Sequence, residues 1–189
     1  FCYPEEGPIF CFPSDAMVTT PEGEKSIDKV NIGDQVLTVN SYTGKLELSE
    51  IYMHGHKIKD VLSEFVSIYT NDGDIVLSGS KDHFVYVCND NDCGWNNGSL
   101  KRFGNVVVDK DYIFDSEMNK YLVVKKEIER KEGLYNPYTL NGNIIVNNVI
   151  VSCHSQWILD DFVSDKYDSY LPGLYQILFA PLRWFYSWT

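Results

Sequence analysis

Residues 16–23 read Ala16-Met17-Val18-Thr19-Thr20-Pro21-Glu22-Gly23, a run of apolar and β-branched residues that ends in a turn signal. Such residues favour strands because their stiff side chains pack well on a pleated surface, whereas Pro and Gly mark turns. Short runs of this kind continue to about residue 155, with further turn signals at Asn71-Asp72-Gly73 and Asn141-Gly142. The pattern predicts an all-β domain.

The strand candidates share a content of Val, Ile, Tyr and Thr. They are Ala16–Thr19, Gln35–Val39, Glu64–Tyr69, Asp74–Leu77, His83–Val87, Tyr121–Val124 and Ile144–Val149. Two segments also echo each other, since Ile32–Leu37 and Asp109–Phe114 each run from a turn into a strand. This faint repeat suggests a duplicated β unit.

Length and charge limit the class of protein. A chain of 189 residues that is 44% hydrophobic suits one packed domain with a small appendage. A net charge of -11 argues against a nucleic-acid partner, because phosphate binding needs clustered Lys and Arg. No apolar run approaches the roughly 18 residues of a membrane span. If the protein is secreted, we expect its leader to lie upstream of this chain.

The cysteines and a glycosylation signal indicate an oxidising compartment. Cys88 and Cys93 bracket a polar turn that a local disulfide can close, and Asn97-Gly98-Ser99 is an acceptor sequence for N-glycans. A zinc site at Cys88 and Cys93 would need two more ligands, and the neighbouring sequence offers no Cys or His pair. We therefore expect a secreted, monomeric protein with no metal and no cofactor.

The composition changes at Trp157, where strand signals stop and aromatic residues become frequent. Within this tail, Leu174–Phe179 and Pro181–Trp188 have helical propensity interrupted by Pro172-Gly173 and Pro181. The tail is therefore predicted to be a separate element with short helices.

Several motifs, in order and spacing, resemble the C-terminal autoprocessing (Hog) domain of hedgehog proteins, and most of all the nematode hedgehog-related warthog and groundhog groups. They are Cys11-Phe12-Pro13, Gly33–Leu37, Ser80-Lys81-Asp82-His83, Gly142–Val149 and Ser152-Cys153. The resemblance implies a Hint fold, which is an all-β horseshoe with pseudo-twofold symmetry shared with inteins, plus a short C-terminal helical segment.

The same resemblance implies the domain organisation. Residues 1–10 would be the end of an N-terminal segment, residues 11–155 the Hint domain and residues 156–189 an adduct- or sterol-recognition region. Phe179–Arg183 carries the likeness to that last region.

The first chemical step implied is self-cleavage at the Phe10–Cys11 bond. The Cys11 sulfur can reach the Phe10 carbonyl carbon through a five-membered ring, which gives a thioester by an N-to-S acyl shift. The resemblance places His83 beside the scissile amide as general acid and Ser80 as a group that orients or polarises it. Cys153 has a family counterpart close to the nucleophile that can form a disulfide with it; its alternative role is a small buried hydrophobe.

The second step needs an outside nucleophile. Inteins finish with a His-Asn pair before a second nucleophile, whereas this chain reads Val151-Ser152-Cys153-His154, so ligation of flanks is not expected. Hedgehog proteins use the hydroxyl of cholesterol; here the alcohol can be a sterol, another lipid or a small alcohol. His56 stands where that family has an alcohol-activating Asp, and His54 is the alternative. Phe10 and Ser80 likewise replace the family's usual Gly and Thr.

The tail offers the adduct-binding candidates, all of which are large and apolar: Tyr175, Phe179, Leu182, Trp184 and Phe185. These side chains suit a sterol or a membrane surface, and they are equally suited to packing against the β domain. Two other functions stay open. Water can resolve the thioester, which is plain self-proteolysis, or the chain can be a non-enzymatic extracellular lipid-binding module with structural cysteines.

Overall fold

A computed structural model describes residues 11–40, 43–73, 75–89, 92–155 and 177–186. Within them the strands are β1 (Met17–Thr20), β2 (Gly23–Ser26), β3 (Gln35–Val39), β4 (Leu46–Thr70), β5 (Val76–Gly79), β6 (His83–Cys88), β7 (Ser99–Arg102), β8 (Tyr112–Phe114), β9 (Lys120–Thr139), β10 (Asn143–Val146) and β11 (Val149–Ser155). Short 3-10 turns occupy Ile27–Lys29, Trp95–Asn97 and Phe103–Asn105, and the helix α1 spans Ala180–Tyr186. The predicted all-β class is confirmed.

The strands form one open, horseshoe-like sheet in the order β2-β1-β10-β11-β6-β8-β9-β4-β3, with β5 on β4 and β7 on β6. The two long strands, β4 and β9, run antiparallel from Ile51↔Thr139 to Thr70↔Val123, with several register shifts. These shifts let one pair of strands bend through the whole molecule, since each bulge locally kinks the strand that carries the extra residue.

The faint sequence repeat corresponds to a structural one. β3 pairs with the start of β4, and β8 pairs with the start of β9, so each short strand precedes a long one in the same arrangement. The long strands then pair with each other. This arrangement accounts for the two-fold character of the horseshoe.

The sequence predicted the positions of the strands better than it predicted their lengths. β3 has the predicted bounds, whereas Glu64–Tyr69 and Tyr121–Val124 are parts of the much longer β4 and β9. The prediction of one strand over Ile144–Val149 is wrong. Asn147 and Asn148 both have positive φ, 48° and 63°, and make a two-residue hairpin turn between β10 and β11. Asp74, in another predicted strand, lies outside the described residues.

The core fills the inside of the horseshoe with side chains from nearly every strand. Its largest fully buried members are Phe12, Phe65, Phe84, Phe103, Phe114, Ile27, Ile51, Ile68, Leu77, Ile113 and Ile144. Cys88, which is buried in a core cluster with Phe114, forms the predicted disulfide with Cys93, and their Cα atoms lie 6.1 Å apart. In the described part of the chain, no helix has both the length and the apolar character needed to cross a membrane.

Candidate active site

Cys11 lies in the interior, at the start of a segment that docks on β9. Phe12 and Tyr135 exchange two backbone hydrogen bonds, of 2.8 and 3.0 Å, and Ser14 donates to the Glu132 carbonyl over 2.8 Å. Cys11 itself is fully buried and packs near Phe65 and Leu134. The predicted scissile bond joins Cys11 to Phe10, which lies outside the described residues.

Ser80 holds the backbone of Cys11 on its other side. The Cys11 peptide N–H donates to the Ser80 hydroxyl over 2.9 Å, and the Ser80 N–H donates to the Cys11 carbonyl over 2.9 Å. Ser80 is buried and directly follows β5, just before the tight turn into β6. The Ser80 hydroxyl therefore lies on the nitrogen of the peptide bond that the sequence predicts to be cleaved.

His83 is completely buried at the start of β6, with its ring centroid 4.3 Å from that of Phe12. Its Nε2 lies 2.7 Å from the Ser152 carbonyl oxygen, and since a carbonyl can only accept, Nε2 carries the proton. Nδ1 then holds a lone pair, and no described residue hydrogen-bonds to it.

Burial lowers the pKa of His83 from 6.5 to about 4. The residue is therefore neutral at pH 7, whereas the general-acid role that the sequence predicted needs a ring that carries a proton to give. A neutral imidazole whose Nδ1 lone pair is available acts as a base before it can act as an acid. It can take up a proton and later return it.

Cys153 is also fully buried, on β11. Its thiol sulfur is 3.5 Å from the Thr139 hydroxyl, which itself donates to the Asn143 carbonyl, so the thiol is the donor in this pair. Burial raises the pKa of Cys153 to about 11. No disulfide joins Cys11 and Cys153 in the described part of the chain. This environment suits a small protonated hydrophobe.

A bulge in β4 separates the two candidate bases, His54 and His56. His54 pairs with Pro137 and Lys57 pairs with Tyr135, so residues 55 and 56 together oppose residue 136. Pro137 and Tyr135 share one face of β9, which puts His54 and Lys57 on that face and His56 on the other. An uninterrupted strand would have pointed both histidines the same way.

The pairing of the Cys11 segment with β9 places a further residue, Asn136, at the candidate site. The sequence analysis did not single it out. Phe12 opposes Tyr135 in an antiparallel pair. Cys11, which precedes Phe12, therefore opposes Asn136, which follows Tyr135. Asn136 is only 2% exposed. In the sequence it precedes Pro137, and an Asn-Pro pair usually indicates a turn. The Asn-Pro pair thus favours a turn at a position where the structure has a buried polar residue inside a strand.

The helix α1 packs on the same part of the sheet through the residue that precedes it. Phe179 is buried, stacks parallel to His154 with ring centroids 6.0 Å apart, and meets Tyr138 edge-on at 5.6 Å. The Tyr186 hydroxyl donates to the Glu50 carboxylate. Of the adduct-binding candidates, Phe179 thus packs inward, whereas Leu182 and Trp184 are 52% and 60% exposed.

The remaining two candidates are not placed. Tyr175 and the side chain of Phe185 lie outside the described part of the structure.

Comparison with known proteins identifies relatives of this arrangement. The family model of the Hint module matches residues 7–188. Warthog protein 6 of Caenorhabditis elegans is 32% identical over 154 residues, which are 79% of this chain and 25% of that protein. Sonic hedgehog protein of Danio rerio is 26% identical over 183 residues, 93% of this chain and 40% of that protein. The chain thus spans less than half of these relatives.

Solved structures agree on the fold. The bacterial intein-like domain from Clostridium thermocellum has a TM-score of 0.61 to this chain at 22% identity, covering 75% of this chain and 97% of that one. This likeness shows the fold that the two proteins share. Since the Hint model covers nearly the whole sequence, the chain belongs to the Hint family.

Proposed function

We propose that this chain cleaves itself between Phe10 and Cys11 through a thioester and passes the N-terminal fragment to a hydroxyl. The observation that carries the proposal is the 2.9 Å hydrogen bond from the Cys11 peptide N–H to Ser80. It holds the nitrogen that the first step must expel, beside a cysteine whose sulfur can reach the preceding carbonyl.

In the first step the Cys11 thiol gives its proton to His83 Nδ1 as the sulfur attacks the Phe10 carbonyl carbon. The carbon–sulfur bond forms, the carbon–nitrogen bond breaks, and the proton moves from Nδ1 to the departing Cys11 nitrogen. Nε2 keeps its proton throughout, because it stays bonded to the Ser152 carbonyl. Such proton transfer contributes about a hundredfold to ten-thousandfold in rate.

In the second step a hydroxyl oxygen attacks the thioester carbon. The carbon–oxygen bond forms, the carbon–sulfur bond breaks, and the hydroxyl proton ends on the Cys11 sulfur by way of His56 as base. The product fragment carries an ester at Phe10. An alcohol proton is too weakly acidic to be removed in advance, so the base must act as the new bond forms.

The acceptor we propose is a sterol, another lipid or a small alcohol. The exposed Leu182 and Trp184 on α1 support an apolar ligand or a membrane surface there. The Cys88–Cys93 disulfide and the exposed Asn97 of the glycan acceptor sequence support processing in the secretory pathway. We propose that the domain acts as a monomer, once per chain.

The test is mass spectrometry of fragment 1–10 released from the full chain. With dithiothreitol or hydroxylamine, which intercept thioesters, we expect a fragment ending at Phe10. Cys11→Ala should release none, whereas Cys153→Ala, the matched buried cysteine, should still cleave. An unchanged rate in Cys11→Ala would disprove the mechanism. The mass of the fragment formed without thiol separates an ester from the free acid that water would give.

A further inference from the structure

The position of Asn136 relative to the nucleophile follows from the sheet register. Phe12 and Tyr135 exchange both of their backbone hydrogen bonds, so Cys11 and Asn136 form the adjoining pair without hydrogen bonds. Cα atoms of such a pair are only about 4.5 Å apart, and both side chains leave the same face. The packing of Cys11 near Leu134, two residues before Asn136, confirms which face this is.

The buried position of the Asn136 side chain is energetically unfavourable. It is 2% exposed, and its Oδ1 meets no hydrogen-bond donor among the residues that the structure describes. An amide oxygen that is buried without a hydrogen-bond donor loses its bonds to water and lowers the stability of the fold. An apolar side chain would pack there at no such cost, so the amide is expected to serve a partner that arrives during the reaction.

The bulge in β4 brings a second polar group to this place. Residues 55 and 56 oppose Asn136, and Gly55 lies so close that a Cβ on it would stand 3.3 Å from Asn136 Nδ2 and 2.8 Å from Tyr138 Cε2. His56 is on the Asn136 face, and its Nδ1 is likewise buried with no partner in the described part of the chain. Cys11, Asn136 and His56 therefore follow one another across three neighbouring segments of the sheet.

We propose that the Asn136 carboxamide binds the hydroxyl of the incoming nucleophile and aims its oxygen at the thioester on Cys11. The inference rests on the proposed function and adds a residue to its second step. As the alcohol docks, its hydroxyl donates a hydrogen bond to the Asn136 amide oxygen. As the oxygen then attacks the thioester, the same proton turns away from Asn136 and passes to His56. The site thus selects for O–H nucleophiles, since a hydrogen bond to a buried amide needs a donor.

A thiolate nucleophile is the matched control for the hydroxyl probes. It attacks the same thioester but has no proton to donate to Asn136. Cleavage of the full chain by dithiothreitol should therefore not depend on Asn136. Cleavage by hydroxyl probes, for which we would use cholesterol in detergent micelles, glycerol and water alone, should depend on it.

We expect Asn136→Ala to slow hydroxyl-dependent release of fragment 1–10 by about tenfold or more while dithiothreitol-induced release stays within about twofold. Asn136→Asp, which keeps an acceptor oxygen of the same shape, should restore the hydroxyl-dependent rate to within about threefold. Leu134→Ala is the control, since it removes a neighbour of Cys11 from the same face without touching a polar group. It should change both rates alike.

Three results would overturn the inference. They are equal slowing of both reactions in Asn136→Ala, no slowing of either, and failure of Asn136→Asp to restore the hydroxyl reaction. A parent chain that dithiothreitol cleaves but that no hydroxyl probe cleaves would overturn it as well. If dithiothreitol releases nothing from the parent, the proposed thioester mechanism itself is wrong, which is a different and recognisable outcome.

Discussion

At the scale of single residues, the proposed first step depends on the hydrogen bond between Ser80 and the Cys11 nitrogen. Its hydroxyl accepts the peptide N–H over 2.9 Å. A hydroxyl can reverse roles and donate to that nitrogen once it becomes an amine, because it carries both a proton and lone pairs. Ser80 can therefore stabilise the bond before and after it breaks.

Ser80→Ala should slow dithiothreitol-induced cleavage at Phe10 on the order of tenfold, because one hydrogen bond to the reacting group is lost. Ser80→Thr keeps the hydroxyl and should stay close to the parent rate. Rates from a time course of fragment 1–10 release check this. If the Ala and Thr variants cleave equally fast, the hydrogen bond has no part in the step.

The sequence could locate some of these residues and not others. Cys11, Ser80 and His83 lie in short local motifs, so the sequence could single them out together. Their roles stay predictions. Asn136 could not be found, because its place beside Cys11 depends on pairing between segments more than a hundred residues apart. His54 and His56 differ, because their opposite faces result from a bulge that contains Gly55, and a glycine inside a strand often marks a bulge.

At the scale of elements, Gly133 is what lets the Cys11 segment lie against β9. Its φ is +85°, and a Cβ there would stand 2.6 Å from Tyr135 Cε2 and 3.0 Å from Ser14 Cβ. Any side chain would push Ser14 and its neighbours off the strand. The close packing of the Cys11 segment against β9 thus depends on the absence of a Cβ at Gly133.

Gly133→Ala should lower the free energy of unfolding by about 2 to 4 kcal/mol, through a strained φ and overpacking, and should slow thiol-induced cleavage. Gly73→Ala is the matched control, with φ +79° and nothing within 4 Å of the added Cβ. It should cost about 1 kcal/mol and leave cleavage unchanged. Chemical denaturation and cleavage rates measure both. Equal effects of the two variants would show that the contact with Ser14 does not matter.

At the scale of the whole molecule, two buried histidines make the fold sensitive to acid. Burial lowers the pKa of His83 to about 4 and, with Arg183 and His83 nearby, that of His154 to about 3. Both pKa values are near 6.5 in the unfolded chain. Between these limits the unfolded state binds more protons, so stability falls as pH decreases below about 6.5.

We therefore expect the free energy of unfolding to decrease from pH 7 to pH 4.5, and His154→Phe to lose about 2 to 3 kcal/mol less over that interval. Phe keeps a ring against Phe179 but cannot titrate. Denaturant titrations at the two pH values give the comparison, in which carboxylates contribute alike to both proteins. Identical losses in parent and variant would contradict the shifted pKa of His154.

The burial of Cys11 also bears on when the reaction becomes irreversible. Cutting the chain there leaves a new amino group in the place of the peptide nitrogen, beside the Ser80 hydroxyl and away from water. A buried amine is kept uncharged, and an uncharged amine is a good nucleophile. It can attack the thioester and restore the original chain. In the proposed mechanism, the precursor without an acceptor would therefore re-form its own peptide bond, and the arrival of the acceptor would decide when the fragment is released.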